Sequence, residues 1–264
     1  SGITYYPKII DLSCQLNRCY LTDIGVEITQ LPESLGNLSE LRYLGMQGLG
    51  LTTLPQSTGN LTNLQELICY GMHTFTSLPS TIGGCVNLWK LYLQGNQLTD
   101  LPSSFGNLVS LEELVIYSND LGGPYGSGTM NDEVFKNLTN LRELRIHANP
   151  NLMELPESIC NCSSLEELYA SNSAHPSTDP EYSEGLWFLP ECLHQLTNLK
   201  ILHVNGNDFQ TIDFDICSMT SLEGVYINNN NLTGDGSWLE CMIDFPNMVQ
   251  GEHPGEVQVG GNKL

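Results

Sequence analysis

One pattern of apolar and polar positions recurs along the chain: a leucine, two variable residues, a leucine, one variable residue, an aliphatic residue, two variable residues and an asparagine. Clear copies are LWKLYLQGN from Leu88, LRELRIHAN from Leu141 and LKILHVNGN from Leu199. Counted this way, nine repeats start near Ile9, Leu41, Leu64, Leu88, Leu111, Leu141, Leu165, Leu199 and Leu222. The segment Val257–Leu264, VQVGGNKL, reproduces the second half of a truncated tenth near Pro254. Inside each copy apolar residues alternate with variable ones, the period of a strand buried on one face. A single copy cannot bury its own leucine face, so neighbouring copies must stack and share a continuous core. The expectation is one solenoid over residues 1–264 whose strands form a parallel ladder.

The remaining fixed positions support that reading. The asparagine after the strand (Asn17, Asn96, Asn119, Asn149, Asn207, Asn230) is expected to turn inward and bond the backbone of adjacent coils. Leu49 and Met72 stand at that position in two repeats, where the ladder should be weaker. Pro32, Pro55, Pro79, Pro102, Pro156 and Pro190 open the segment that follows. A fixed φ and a missing N–H suit the start of an outer turn. Three repeats are long, with extra residues after the strand at Arg18–Glu27, Gly122–Glu133 and Ala174–Glu184. These should project from one edge, where solenoids often build binding sites.

The stretch LTDLPSSFGNLVSLEEL, Leu98 to Leu114, resembles the 23–24-residue repeats of plant-type and Ras-group-related leucine-rich repeat proteins, and NLTGDGSW from Asn231 resembles the NLTG of plant receptor ectodomains. The resemblance covers Ile9 to Leu264. It implies an α/β leucine-rich repeat solenoid, a horseshoe with a parallel concave β-sheet and short convex turns or helices. It also implies a non-catalytic recognition module that binds through the concave face.

Residues two, four and six places after the first leucine should point out from that face, and these positions hold six of the eleven tyrosines. Tyrosine favours strands, but exposed tyrosine is also what recognition surfaces use. The candidate ligand-binding residues are Tyr92, Tyr117, Arg145, His147, Tyr169, His203 and Tyr226, with the second and third long segments as rims. One place after the first leucine, five successive repeats read Glu112, Arg142, Glu166, Lys200 and Glu223. Alternating signs on neighbouring strands describe a self-satisfied surface ladder worth little per pair. The stripe Glu113, Glu143, Glu167 instead sets like charges side by side, to be relieved by Arg145 and solvent, by a cation or by a basic partner.

Charge narrows the partner. Thirty acidic residues against nine basic ones give a net charge of −21. Such a surface repels phosphate backbones, so nucleic acid is excluded and a protein or peptide, suitably a basic one, is expected. No apolar run approaches the 18 residues of a membrane span. Catalysis finds no paired nucleophile and base near His147 or His203. The run NNNNLTGDG from Asn228 lacks the glutamate a calcium loop requires, and no cofactor is implied.

The nine cysteines divide by position. Cys14, Cys69, Cys85 and Cys162 take inward positions of small hydrophobes. Cys160, Cys192 and Cys217 fall on the outer turns of successive repeats, with Cys241 in the next, so bridges such as Cys160–Cys192 or Cys217–Cys241 are open if the coils approach closely enough. Glycosylation sequons stand at Asn37, Asn60, Asn137, Asn161 and Asn231. With scarce lysine and outer-turn cysteines, they lean towards a secreted fragment or ectodomain of a longer protein. The alternatives are an intracellular scaffold for a GTPase or kinase and a structural subunit of a larger assembly.

Overall fold

The strands and turns form one continuous ladder in the computed structural model, which describes residues 17–22, 28–123, 128–172, 185–233 and 256–262. Ten strands lie in one parallel sheet in chain order. They are β1 (Arg18–Thr22), β2 (Tyr43–Gln47), β3 (Glu66–Tyr70), β4 (Lys90–Tyr92), β5 (Glu113–Val115), β6 (Glu143–Arg145), β7 (Glu167–Tyr169), β8 (Ile201–His203), β9 (Gly224–Tyr226) and β10 (Glu256–Gln258). Their register matches like positions of successive repeats, as in Leu91 opposite Leu114 and Leu114 opposite Leu144. The inward leucines Leu44, Leu67, Leu91, Leu114, Leu144, Leu168 and Leu202 are fully buried in a single continuous core.

Among the described residues, seven coils return through a single 3-10 turn rather than an α-helix, and the coil between β5 and β6 returns through hydrogen-bonded turns alone. The 3-10 turns are η1 (Glu33–Asn37), η2 (Gln56–Asn60), η3 (Ile82–Gly84), η4 (Ser103–Asn107), η5 (Glu157–Asn161), η6 (Glu191–Gln195) and η7 (Ile216–Ser218). Pro32, Pro55, Pro102, Pro156 and Pro190 each precede one of them as expected, and the Pro79 carbonyl accepts the Ile82 N–H in η3. Adjacent turns approach so closely that the glycine of the GNL motif is sterically required. A Cβ built on Gly59 would lie 2.3 Å from the Thr81 carbonyl oxygen, and one on Gly106 would lie 2.3 Å from that of Glu133.

The post-strand asparagines do what the pattern predicts. Asn119 is buried; its Oδ1 accepts the Leu98 N–H at 3.0 Å while its Nδ2 donates to the carbonyls of Leu93 (2.9 Å) and Ile116 (3.0 Å). Asn96, Asn149, Asn207 and Asn230 repeat this arrangement. Asn262 extends it into the tenth repeat, accepting the Asn230 N–H at 3.1 Å. Just before the asparagine the backbone turns left-handed, at Gly95, Gly206 and Gly261 but also at Ser118, Ala148 and Asn229, and Gly71 does the same before Met72.

The first repeat departs from the sequence reading. Arg18 pairs with Tyr43 and Cys19 with Leu44, so the strand frame opens at Leu16 rather than Ile9. Arg18–Glu27 is therefore not an insertion, since its first five residues are β1 itself. Asn17 is not a ladder asparagine: its carbonyl accepts the N–H groups of Arg42 and Tyr43, as the residue preceding a strand does in each following coil as far as β9. Cys19, not Cys14, is the buried cysteine of that strand; Cys14 lies outside the described residues. Leucine-like residues at Ile9, Leu12 and Leu16 offered two frames, and only pairing with β2 selects one. Ala174–Glu184 and the centre of Gly122–Glu133 also lie outside the described residues.

Three cysteines, Cys69, Cys85 and Cys162, are buried free thiols as expected. Burial alone raises their pKa, that of Cys85 and Cys162 to about 12. Cys160 and Cys192 form a disulfide with Cα atoms 5.9 Å apart. They occupy the places of Gly36 and Ser57 in the earlier turns η1 and η2, where a Cβ on Gly36 would lie 2.6 Å from that of Ser57. The close approach that elsewhere demands glycine here brings two sulfurs together. Cys19 and Cys217 are also in disulfides; Cys241 lies outside the described residues.

Candidate functional site

Parallel strands stand about 4.8 Å apart, so outward side chains at one position form a row whose members touch across strands. The row four places after the first leucine contains Tyr92, Val115, Arg145, Tyr169, His203 and Tyr226 on β4 to β9. Its last four members form a stack. The Arg145 guanidinium lies 5.0 Å from the centroid of the Tyr169 ring. Tyr169 and His203 stack with centroids 4.9 Å apart, and His203 and Tyr226 at 3.8 Å. In the row six places along, Tyr117 stacks on His147 at 4.4 Å with ring planes 12° apart. The sequence candidates are thus brought together on one sheet face, except that Tyr92 sits apart from the stack, separated from Arg145 by Val115.

Neighbouring carboxylates fix these rings. The hydroxyl of Tyr169 donates to Glu167 at 2.7 Å, and burial together with this bond pushes the phenol up to about 12. Tyr92 donates to Glu113, which also pairs with Lys90 at 2.9 Å. The Arg145 Nε donates to Glu143. The stripe Glu113, Glu143 and Glu167 is therefore answered member by member from within the chain. Next to it, Arg142 lies 4.0 Å from Glu112 and 3.2 Å from Glu166, while Lys200 also pairs with Glu166. That row is the self-satisfied ladder its alternating signs predict. Across β6 to β9 the stacked row therefore presents flat aromatic rings and, at its end, the partly exposed Arg145 side chain. Burial lowers the pKa of His147 and His203, with the Arg145 charge adding to the effect at His147, so both rings are neutral at neutral pH.

A second aromatic group at the β1 end was missed. Arg18 lies 4.5 Å from the centroid of the Tyr43 ring, and the Tyr20 hydroxyl donates to Gln47 at 3.2 Å. Gly45 leaves the room for it: a Cβ there would lie 2.3 Å from the Tyr20 ring. The signal was present, because a leucine stands at Leu16, 25 residues before Leu41 and close to one ordinary period, and counting from it puts Tyr20 in the outward row.

Among the described residues, no three metal-ligating side chains converge, and no helix is long and apolar enough to cross a membrane. Asn37, Asn60 and Asn161 are exposed at the ends of outer turns. The Asn137 amide donates to the Gly106 carbonyl at 3.1 Å, and Asn231, half-buried, donates to Asp208.

Solved structures similar to this one share the fold. A leucine-rich repeat protein of Leptospira interrogans superposes with a TM-score of 0.66 at 27% identity, over 82% of this chain and 50% of its own. The plant peptide hormone receptor RGFR1, in complex with RGF2, gives 0.65 at 25% identity, over 83% of this chain and 33% of its own. The leucine-rich repeat domain of the type III effector XopL gives 0.63 at 22% identity, over 80% and 68%, a likeness of fold alone. The chain spans half the length of the Leptospira protein and a third of the plant receptor. None of the curated proteins matches it by sequence. The family model of the leucine-rich repeat region matches residues 15–193, and the chain belongs to the leucine-rich repeat family.

Proposed function

We propose that this chain is a non-catalytic recognition module, part of a secreted protein or receptor ectodomain, that holds a protein or peptide across its sheet face. The observation that carries this reading is the stack of Arg145, Tyr169, His203 and Tyr226 on four adjacent strands. Rings locked by neighbours lose little freedom on binding, and rigid aromatic surface is what interface anchors are made of. The plant receptor of the same fold is a peptide hormone receptor in complex with RGF2, which supports a peptide as ligand. The acidity of the chain favours a basic one.

The extracellular setting is supported by the Cys160–Cys192 disulfide, a bond that persists in oxidising compartments, and by the exposed sequons. The test is selection of peptides from a displayed random library on the immobilised chain. Recovered binders should lose at least about tenfold in affinity, a loss of 1.4 kcal/mol, on Tyr169→Ala and on His203→Ala. Binders indifferent to both substitutions would refute the sheet-face assignment. Intact mass of the natively purified chain, before and after deglycosylation and after thiol alkylation in denaturant without reductant, tests the setting; a bare mass with every cysteine alkylated would place it in a reducing compartment.

A further inference from the structure

We infer that a groove on the flank of the solenoid, away from the sheet face, is a docking site for an arginine-bearing basic peptide segment of a partner protein. It rests on the recognition reading above but on a different surface. The groove has a volume of about 470 Å³ and is walled by Asp132, Glu154, Glu157, Glu191 and Asp213. Its floor is the buried apolar pairs Leu155–Pro156 and Leu189–Pro190 from successive coils. That volume lies within the range of ligand sites. Among the described residues, no lysine or arginine lines it.

Two features separate this groove from an ordinary solvated acidic face. The first is the balance of charge. On the sheet face Glu113, Glu143 and Glu166 are paired with Lys90, Arg145, Arg142 and Lys200. None of the salt bridges of the described residues involves any of the five groove carboxylates. Asp132 is engaged by the Ser158 N–H at 3.1 Å and Asp213 by the Thr211 hydroxyl at 2.9 Å. Glu154, Glu157 and Glu191 line the groove with no cation among the described residues opposite them. The second is an aromatic ring in the lining. Phe188 lines the groove, is 43% exposed and is bridged to Glu154 in parallel register. A phenyl ring beside such a carboxylate is a receptor for guanidinium, which stacks on a ring face while its N–H groups fork onto a carboxylate. The carboxylates are spread over several coils and do not converge as metal ligands do, so several cationic side chains along a peptide match them and a single divalent ion does not.

The experiment is fluorescence anisotropy of the full chain with a fluorescein-labelled peptide of alternating arginine and glycine, and with its glutamate–glycine counterpart. The arginine peptide should bind, the glutamate peptide should not, and added salt should weaken the complex. Glu157→Gln and Glu191→Gln should each raise Kd at least about fivefold, and Phe188→Ala, which leaves the net charge unchanged, should do the same. Glu40→Gln, which removes the same charge from an exposed site on another coil, should change Kd less than about twofold, the scale of an unspecific surface charge. Tyr169→Ala should leave this binding intact while abolishing that of sheet-face ligands, so the two sites fail or stand separately. Absence of binding by the wild-type chain, equal effects of Glu40→Gln and Glu157→Gln, or indifference to Phe188→Ala would each overturn the assignment.

Discussion

The imidazole of His203 lies flat on the phenol ring of Tyr226, their centroids 3.8 Å apart and their planes 6° from parallel. Tyr169 closes on the other face of the imidazole at 4.9 Å. Neither contact exists within one repeat; each needs two strands in register. Burial in this sandwich lowers the His203 pKa, which binds the aromatic surface to pH.

His147 and His203 should both titrate in the folded chain with midpoints below the ordinary value of about 6.5. A histidine depressed on folding contributes stability that is complete above its unfolded pKa and is lost as pH falls through the folded one. Thermal stability should therefore decline as pH drops below about 6.5, in addition to any carboxylate effect. NMR titration of the imidazole resonances checks this, and midpoints at or above the free value would contradict it.

Substitution of Gly59 by alanine should destabilise the fold by about 1–3 kcal/mol, the usual range for overpacking, because its Cβ would meet the Thr81 carbonyl at 2.3 Å. Gly260→Ala, with nothing within 4 Å of the new Cβ, should be close to neutral. Denaturant titration of the two variants side by side gives the comparison.

Ala148 adopts a left-handed conformation, φ 53°, at the position where Gly71, Gly95 and Gly206 stand in other coils. An L-residue there carries a steric cost of about 1–2 kcal/mol, partly offset by the greater entropy loss of glycine. Ala148→Gly should therefore stabilise the chain, by about 0.5–1 kcal/mol. A lowered denaturation midpoint would contradict the backbone assignment.

Asn119→Ala should cost at least about 2 kcal/mol, since it strands a buried N–H of Leu98 and two carbonyls that Asn119 now satisfies. Asn63→Ala, whose amide reaches the Ser39 carbonyl at the exposed surface, should cost far less. Equal losses would show that the buried ladder contributes nothing special.

Native alkylation should spare Cys69, Cys85 and Cys162, whose thiols are buried and protonated; they should react only on unfolding. Loss of the Cys160–Cys192 bridge, which closes a loop of 32 residues, should lower stability by about 2–4 kcal/mol. Cysteine-to-alanine variants measured under non-reducing conditions give the value.

The architecture was legible because a leucine-rich repeat is a local rule applied many times. Each leucine, asparagine and proline has the same environment in every coil, so periodicity alone identified the buried strand face, the asparagine ladder and the proline-led turns. The rule failed where the sequence offered two frames, Ile9 and Leu16, and only the pairing of Arg18 with Tyr43 chose between them. The outward rows likewise follow from the spacing of the leucines, and they group Arg145, Tyr169, His203 and Tyr226 on one face. What tertiary structure alone decided was how side chains on different coils meet: that Arg145 serves both Glu143 and the ring of Tyr169, that Cys160 reaches Cys192, and that Glu154, Glu157 and Glu191 share a groove lined by an exposed Phe188. Most of these contacts join residues a full coil apart in sequence. They depend on rotamers and on the fit between neighbouring turns, to which a pattern of leucines is indifferent.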